Sequence, residues 1–292
     1  MKKIFLHHRA LWVFVSVSLM AIYSCKKEAS VEDPNNPGGD VVIGANCRVS
    51  KIAFADSLLG FGTGSVSAVI NALDTTTSVT AFDSLLNIAS VKVSITYASD
   101  TAKINANEYF LLDPNKRVAR LHALEDTSNP ASKQIDIDYI YDGNGRLMKK
   151  SHSYTLDPNV PFQEVNYTYA ANNLTKMEKM DLIKNELIQD ADIIYDNAIS
   201  PKNYLYLFPD EKTYATFNQF FNFGTKSINL VKSIKVRNFD PGNMPKDSTL
   251  STFGNYVLSV DRYVLSATMS GDSAYAIPAK KGRLKFSYKC KP

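Results

Sequence analysis

Two acidic triplets, Asp136, Asp138 and Asp142, then Asp190, Asp192 and Asp196, come nearest to chemistry in this chain. Alternate residues of an extended segment project from one face. Each Asp-x-Asp pair could therefore hold a calcium ion or supply the acid and base of a glycosidase. The same spacing is ordinary on the wet face of a half-buried sheet, and that is the simpler reading. Asp142-Gly143-Asn144-Gly145 has the look of a calcium-loop fragment but lacks the spaced carboxylates and terminal Glu of an EF-hand, so it reads as a turn. His122 and His152 have no histidine or cysteine at ligand spacing and read as solvated positions. No nucleophile elbow, phosphate loop or dinucleotide fingerprint is present. The expectation is no catalytic, metal-binding or cofactor-binding residue, and no cofactor.

The thiols say more. Lys2, Lys3 and Arg9 precede an apolar run from Ala10 to Met20, and Ile22-Tyr23-Ser24-Cys25 closes it. A charged head, a short apolar core and a small residue before the cut describe a secretory signal. Cysteine directly after Ser24 resembles the lipobox of bacterial lipoproteins. In that family the cysteine, here Cys25, is acylated (palmitate among the acyl groups) and becomes the first mature residue; the alternative is a plain signal with an incidental cysteine. Without Lys2, Lys3 and Arg9 the chain keeps 30 basic residues against 29 acidic ones, so its apparent basicity disappears. Near-neutrality gives no reason to expect nucleic acid as a partner. The single Trp, Trp12, and two of the four histidines lie in the signal, which leaves little for a histidine-dependent triad. Cys47 and Cys290 remain. In an exported chain such a pair reads as one disulfide joining the ends of the domain, worth about 4–5 kcal/mol by chain entropy. Two free buried thiols are the alternative.

The elements around these residues point to one fold class. Residues 25–46 form a lipidated tether in which Asp33-Pro34-Asn35-Asn36-Pro37-Gly38-Gly39-Asp40 blocks regular structure. From Cys47 to Pro292 the period is two: Val91, Val93, Ile95 and Tyr97; Ile135, Ile137, Tyr139 and Tyr141; Val165, Tyr167 and Tyr169; Leu284, Phe286 and Tyr288. Turn signals at Asp113-Pro114-Asn115, Asp142-Gly143-Asn144-Gly145, Asn172-Asn173 and Asp240-Pro241-Gly242-Asn243 separate these runs. The pattern predicts a single all-β domain over 47–292, an antiparallel meander of stacked hairpins forming a large curved sheet, with the Ile/Tyr face inward. Only residues 210–223 invite a helix: Pro209-Asp210-Glu211 looks like a start and Gly224 like a stop. Tyr214, Phe217, Phe220 and Phe221 recur there at helical spacing.

One string recurs: Tyr139-Ile140-Tyr141-Asp142-Gly143-Asn144-Gly145-Arg146-Leu147, then Tyr167-Thr168-Tyr169-Ala170-Ala171-Asn172-Asn173-Leu174, with a third copy at Ile193-Ile194-Tyr195-Asp196-Asn197. It resembles the YD repeats of Rhs-type proteins. With the closing Phe286-Ser287-Tyr288-Lys289-Cys290, the layout resembles a group of uncharacterised outer-membrane lipoproteins of the Bacteroidetes. That resemblance implies fold and location: an outer-membrane protein held by lipid on Cys25, on either face, acting as a non-catalytic binding or structural module. A glycan, peptide or envelope protein would be its ligand, and a carboxylate-dependent hydrolase of polysaccharide is the rival. Six Asp-Ser/Thr tripeptides, among them Asp100-Thr101-Ala102 and Asp247-Ser248-Thr249, also resemble an O-glycosylation signal of exported Bacteroidetes proteins.

Overall fold

The computed structural model describes residues 47–292, except 56–62, 71–75, 84–87, 99, 127–128, 130, 203–204, 211–220, 272–281 and 291–292. The expected signal (1–24), the tether (25–46) and Cys25 therefore lie outside the described residues, as does most of the expected helix. Asp210 and Phe221 to Phe223, the described ends of that stretch, are turn, bend and extended chain rather than helix.

Among the described residues sixteen strands follow one another: β1 (Cys47–Ala55), β2 (Thr63–Ile70), β3 (Thr76–Asp83), β4 (Ile88–Ala98), β5 (Thr101–Lys103), β6 (Tyr109–Leu112), β7 (Val118–Leu124), β8 (Gln134–Tyr141), β9 (Leu147–Tyr154), β10 (Asp157–Ala170), β11 (Asn173–Asp181), β12 (Glu186–Asp196), β13 (Leu230–Asp240), β14 (Met244–Leu258), β15 (Val264–Gly271) and β16 (Gly282–Cys290). Each pairs antiparallel with the next, as the alternation and turns predict. The sheet curves until its ends meet: β1 pairs with β16 and the meander becomes a closed barrel. Closure removes both sheet edges, which would otherwise present unpaired backbone groups. At the seam Cys47 stands opposite Cys290 and Ile52 opposite Phe286.

The Ile/Tyr face is the buried one. Ile137, Tyr139, Val165, Tyr167, Met177, Ala191, Ile193, Ile234, Val236, Leu284 and Phe286 belong to one core cluster. The outer positions of the same strands carry Arg120, Asp138, Lys149, Glu164, Lys176, Glu178, Asp192, Lys235, Arg237 and Lys285. Exposed apolar residues such as Ile140, Ile194 and Leu250 are interspersed among these.

The repeated string is explained by one end of the barrel. Tyr141 donates its hydroxyl to the Val118 carbonyl (2.6 Å), Tyr169 to Leu147 (3.0 Å), Tyr256 to Val231 (2.6 Å) and Tyr288 to Val264 (2.7 Å). Each tyrosine near the end of one strand thus ties down the beginning of the strand before it. Tyr195 makes the corresponding contact through the Ser227 hydroxyl (2.9 Å), which in turn accepts the Leu174 N–H (3.0 Å). Beside this row, Asp113 accepts the Arg117 backbone N–H (2.8 Å) and Nε (2.7 Å), and Asp142 treats Arg146 the same way (2.9 and 2.7 Å). The two guanidinium groups lie over the rings of Tyr141 and Tyr169, 4.4 and 5.0 Å from the ring centres. Burial alone would raise both carboxyl pKa values, but the bonds from arginine outweigh it and hold both below the usual range.

Candidate functional site

The described residues of the connection between β12 and β13 lie at this tyrosine end and enter the core. Leu205, Tyr206, Leu207, Phe208, Phe221 and Phe223 are buried with the strand residues. Phe221 packs on Phe110 (ring centres 4.4 Å apart), Phe223 on Tyr139 (5.4 Å) and Phe208 on Tyr167 (5.3 Å). The chain then returns across the turns: Val118 N–H donates to Asn222 O (2.8 Å), Thr225 N–H to Gly145 O (2.8 Å), and Ile228 and Asn229 N–H to Asn173 Oδ1 (both 3.0 Å). Gly224 is required at the crossing, because its φ is +81° and a Cβ there would overlap the Gly145 carbonyl oxygen.

Inside the barrel this plug is held by charge. Lys150 Nζ lies 3.0 Å from Asp210 Oδ2, with side chains 1% and 4% exposed, and Tyr167 donates its hydroxyl to Asp210 Oδ1 (2.6 Å). The ammonium sits among the rings of Tyr139, Tyr167 and Phe208, 5.4–5.7 Å from their centres. Burial pushes the Asp210 pKa up, but Lys150, Tyr167 and Lys179 together hold it below the ordinary value. Nothing in the local sequence announces this trio. Lys150 is a lysine at an inward position of an unremarkable strand, and Asp210 lies 60 residues away.

His152, two residues along β9, faces the same interior. The solvated position expected for it is overturned: burial, aided by Lys179 and Lys150, drives its pKa down to about 3 from 6.5. The folded protein therefore refuses a proton that the unfolded chain accepts below pH 6.5. Stability from this group is complete above pH 6.5 and declines toward pH 3, by up to about 1.4 kcal/mol per pH unit. Urea unfolding between pH 7 and 5 should show that slope in the wild type and a flatter one in His152→Leu. His122 is not solvated either: its Nδ1 lies 2.8 Å from Asp136 Oδ1 and its ring stacks on Tyr109 (4.9 Å).

Toward the other end the inner face turns polar. The register places Val165, Lys179, Gln189, Asn238 and Asp247 side by side across β10–β14. Gln189 donates its amide to Asn238 Oδ1 (2.9 Å), and Asn238 donates its own to Asp247 Oδ1 (2.5 Å). Gln189 is 7% exposed, whereas Asp247 stands in solvent. Gln189 Oε1 and His152 Nε2 are buried and lack a hydrogen-bond partner.

The acidic pairs singled out by spacing do not converge on this interior. Arg120 holds Asp138 through Nε (2.5 Å) and Nη2 (3.0 Å) and reaches Asp136 at 3.9 Å. Arg237 holds Asp190 through Nε (2.6 Å) and Nη2 (2.9 Å), and Asp192 through Nη1 (2.8 Å). Each Asp-x-Asp is thus the outward face of a strand, spanned by one guanidinium from a neighbouring strand. Asp136 is 6% exposed, covered by Arg120 and His122 rather than by the core. Asp142 is the turn residue described above. Among the described residues no group of acidic, histidine and cysteine side chains has the arrangement of a metal site. Of the Asp-Ser/Thr tripeptides, Asp100-Thr101-Ala102 and Asp247-Ser248-Thr249 lie wholly within the described residues; Thr101 bonds Asp100 (3.2 Å) and Ser248 is exposed on the outer face of β14.

The class these features define is an all-β, closed, up-and-down antiparallel barrel with an internal plug. No protein-family model and no curated protein matches the chain. Among solved structures it is similar to a porin-like protein from Bacteroides uniformis, with a TM-score of 0.53 and 10% identity over 82% of this chain and 98% of that one. A porin-like protein from Bacteroides vulgatus aligns with a TM-score of 0.49 and 11% identity, over 84% and 99% of the two chains. At such identity the first likeness is one of fold.

Proposed function

We propose that this chain is a lipid-anchored protein of the bacterial outer membrane whose barrel is a non-catalytic binding or structural module. The fold likeness to a porin-like Bacteroides protein supports a β-rich envelope protein. The signal-like segment ending at Ser24-Cys25 supports export and a lipid anchor.

The observation that carries the reading is the polarity of the barrel wall. A membrane-spanning barrel turns an apolar band of about 25 Å toward lipid and keeps a polar interior. Here the inner face is the apolar one, its core cluster 0–8% exposed, while the outer positions mix charged side chains with scattered apolar ones such as Ile140, Ile194 and Leu250. Charges on a lipid-facing wall cost about 2–4 kcal/mol each near the midplane. A wall of this kind belongs in water, and Leu205 to Phe208, Phe221 and Phe223 pack against its inner face. Attachment then falls to the acyl groups on Cys25, each buried methylene contributing about 0.8 kcal/mol.

Intact-mass measurement of the protein extracted from membranes tests this. The expected species begins at Cys25 and carries acyl groups; a protein that retains residues 1–24, or begins at Cys25 without acyl groups, overturns the anchor. No observation favours the hydrolase reading, since the candidate carboxylates are engaged by Arg120 and Arg237 on the outer wall.

A further inference from the structure

We propose that Lys150 and Asp210 condense spontaneously into an amide, Lys150 Nζ to Asp210 Cγ, which fastens the β12–β13 connection covalently to the barrel wall, with Tyr167 as the catalytic residue. The buried ion pair described above is the reactant. Three features of its setting carry the step.

The first is proximity. Lys150 belongs to β9 and Asp210 lies 60 residues further on, yet Nζ and Oδ2 are 3.0 Å apart. Groups held at such a separation react with effective molarities on the order of 10⁵ M or more. The second is dryness. The two side chains are 1% and 4% exposed, and the rings of Tyr139, Tyr167 and Phe208 are centred 5.4–5.7 Å from the ammonium. In water an ammonium and a carboxylate are too well hydrated to condense. In a dry site the charged pair loses most of that advantage over neutral amine and acid, and the amide leaves no buried charge at all. Lys149 and Glu164 make the contrast: they also meet at 3.0 Å, but with side chains 31% and 21% exposed, so water keeps them an ion pair. The third is the Tyr167 hydroxyl, which donates to Asp210 Oδ1 at 2.6 Å. That oxygen is the one on which negative charge develops when Cγ is attacked.

The step needs no other reactant. One Nζ proton crosses the existing hydrogen bond to Oδ2, leaving an amine and a carboxylic acid. The amine lone pair forms the Nζ–Cγ bond, and the Cγ–Oδ1 π electrons move onto Oδ1, against the Tyr167 hydroxyl. A second proton passes from Nζ to the Oδ2 hydroxyl. The Cγ–Oδ2 bond then breaks with its electron pair, and water leaves. Oδ1 becomes the amide oxygen and keeps its bond from Tyr167. Exclusion of bulk water protects the product from hydrolysis.

Mass spectrometry of peptides from the full-length protein, unfolded in urea and digested, tests the bond. The expected product is a branched peptide that joins the Lys150 and Asp210 segments and is lighter than their sum by one water molecule. Asp210→Ala and Lys150→Arg should yield only linear peptides. Tyr167→Phe, checked for unchanged β-sheet circular dichroism, should form the branch about tenfold or more slowly after pulse-labelled synthesis, a rate that a merely structural tyrosine would not set. Folded wild-type protein that gives only linear peptides overturns the proposal, as does a branched peptide that survives in Asp210→Ala. Equal rates in Tyr167→Phe and the wild type would remove Tyr167 from the reaction.

Discussion

Replacing Asp210 with Ala should lower the unfolding free energy by about 3–5 kcal/mol, because it strips a buried ammonium of its carboxylate. Lys150 is 1% exposed at its side chain and lies against three aromatic rings, so water cannot take the place of Asp210. Tyr167 loses the acceptor of its hydroxyl in the same step. The reciprocal change, Lys150→Met, leaves Asp210 without the neighbour that does most to keep it charged. The double variant Lys150→Met/Asp210→Leu removes both charges and should be more stable than either single one, since buried pairs are often replaceable by apolar residues of similar size. Urea titrations of the four proteins read this directly. Single variants within about 1 kcal/mol of the wild type would mean that the plug is held by its aromatic residues alone.

The second large effect concerns the seam. We propose that Cys47 and Cys290 form a disulfide. Their backbones stand directly opposite in the β1–β16 pair, and antiparallel partners have Cα atoms about 4.5–5.5 Å apart, within the span that a disulfide bridges. The covalent loop would contain nearly the whole barrel, and chain entropy gives it about 4–5 kcal/mol. Reduction, or Cys290→Ser, should therefore lower the urea midpoint substantially and act first where the sheet closes. Thiol labelling of unfolded, unreduced protein should find neither cysteine; two labelled cysteines would end the proposal.

Much of the wall was legible from local pattern. Ile135, Ile137, Tyr139 and Tyr141 alternate with polar residues because one face of β8 is buried, and a single-residue slip would have reversed every side chain. The Asp142-Gly143-Asn144-Gly145 turn was legible because Gly145 takes a φ of +74° that most residues avoid. The reason for the repeat was not. Tyr141 and Val118 are 23 residues apart, and nothing in the recurring string names the carbonyl that the hydroxyl reaches across the strand pair. Of the expected helical stripe at Tyr214, Phe217, Phe220 and Phe221, only Phe221 is described, and it lies buried in a bend against Phe110. The clasp of Lys150 and Asp210 was invisible, since a buried charge is defined by what surrounds it in space.

The polarity of the wall makes one demand above all others. The Cys25→Ala chain, which can carry no lipid, should leave the membrane pellet in alkaline carbonate and enter the aqueous phase of a Triton X-114 separation, with its β-sheet circular dichroism intact. A folded Cys25→Ala protein that stays in the carbonate-washed membrane and the detergent phase would contradict the account, because only a barrel with lipid against its outer strands behaves that way.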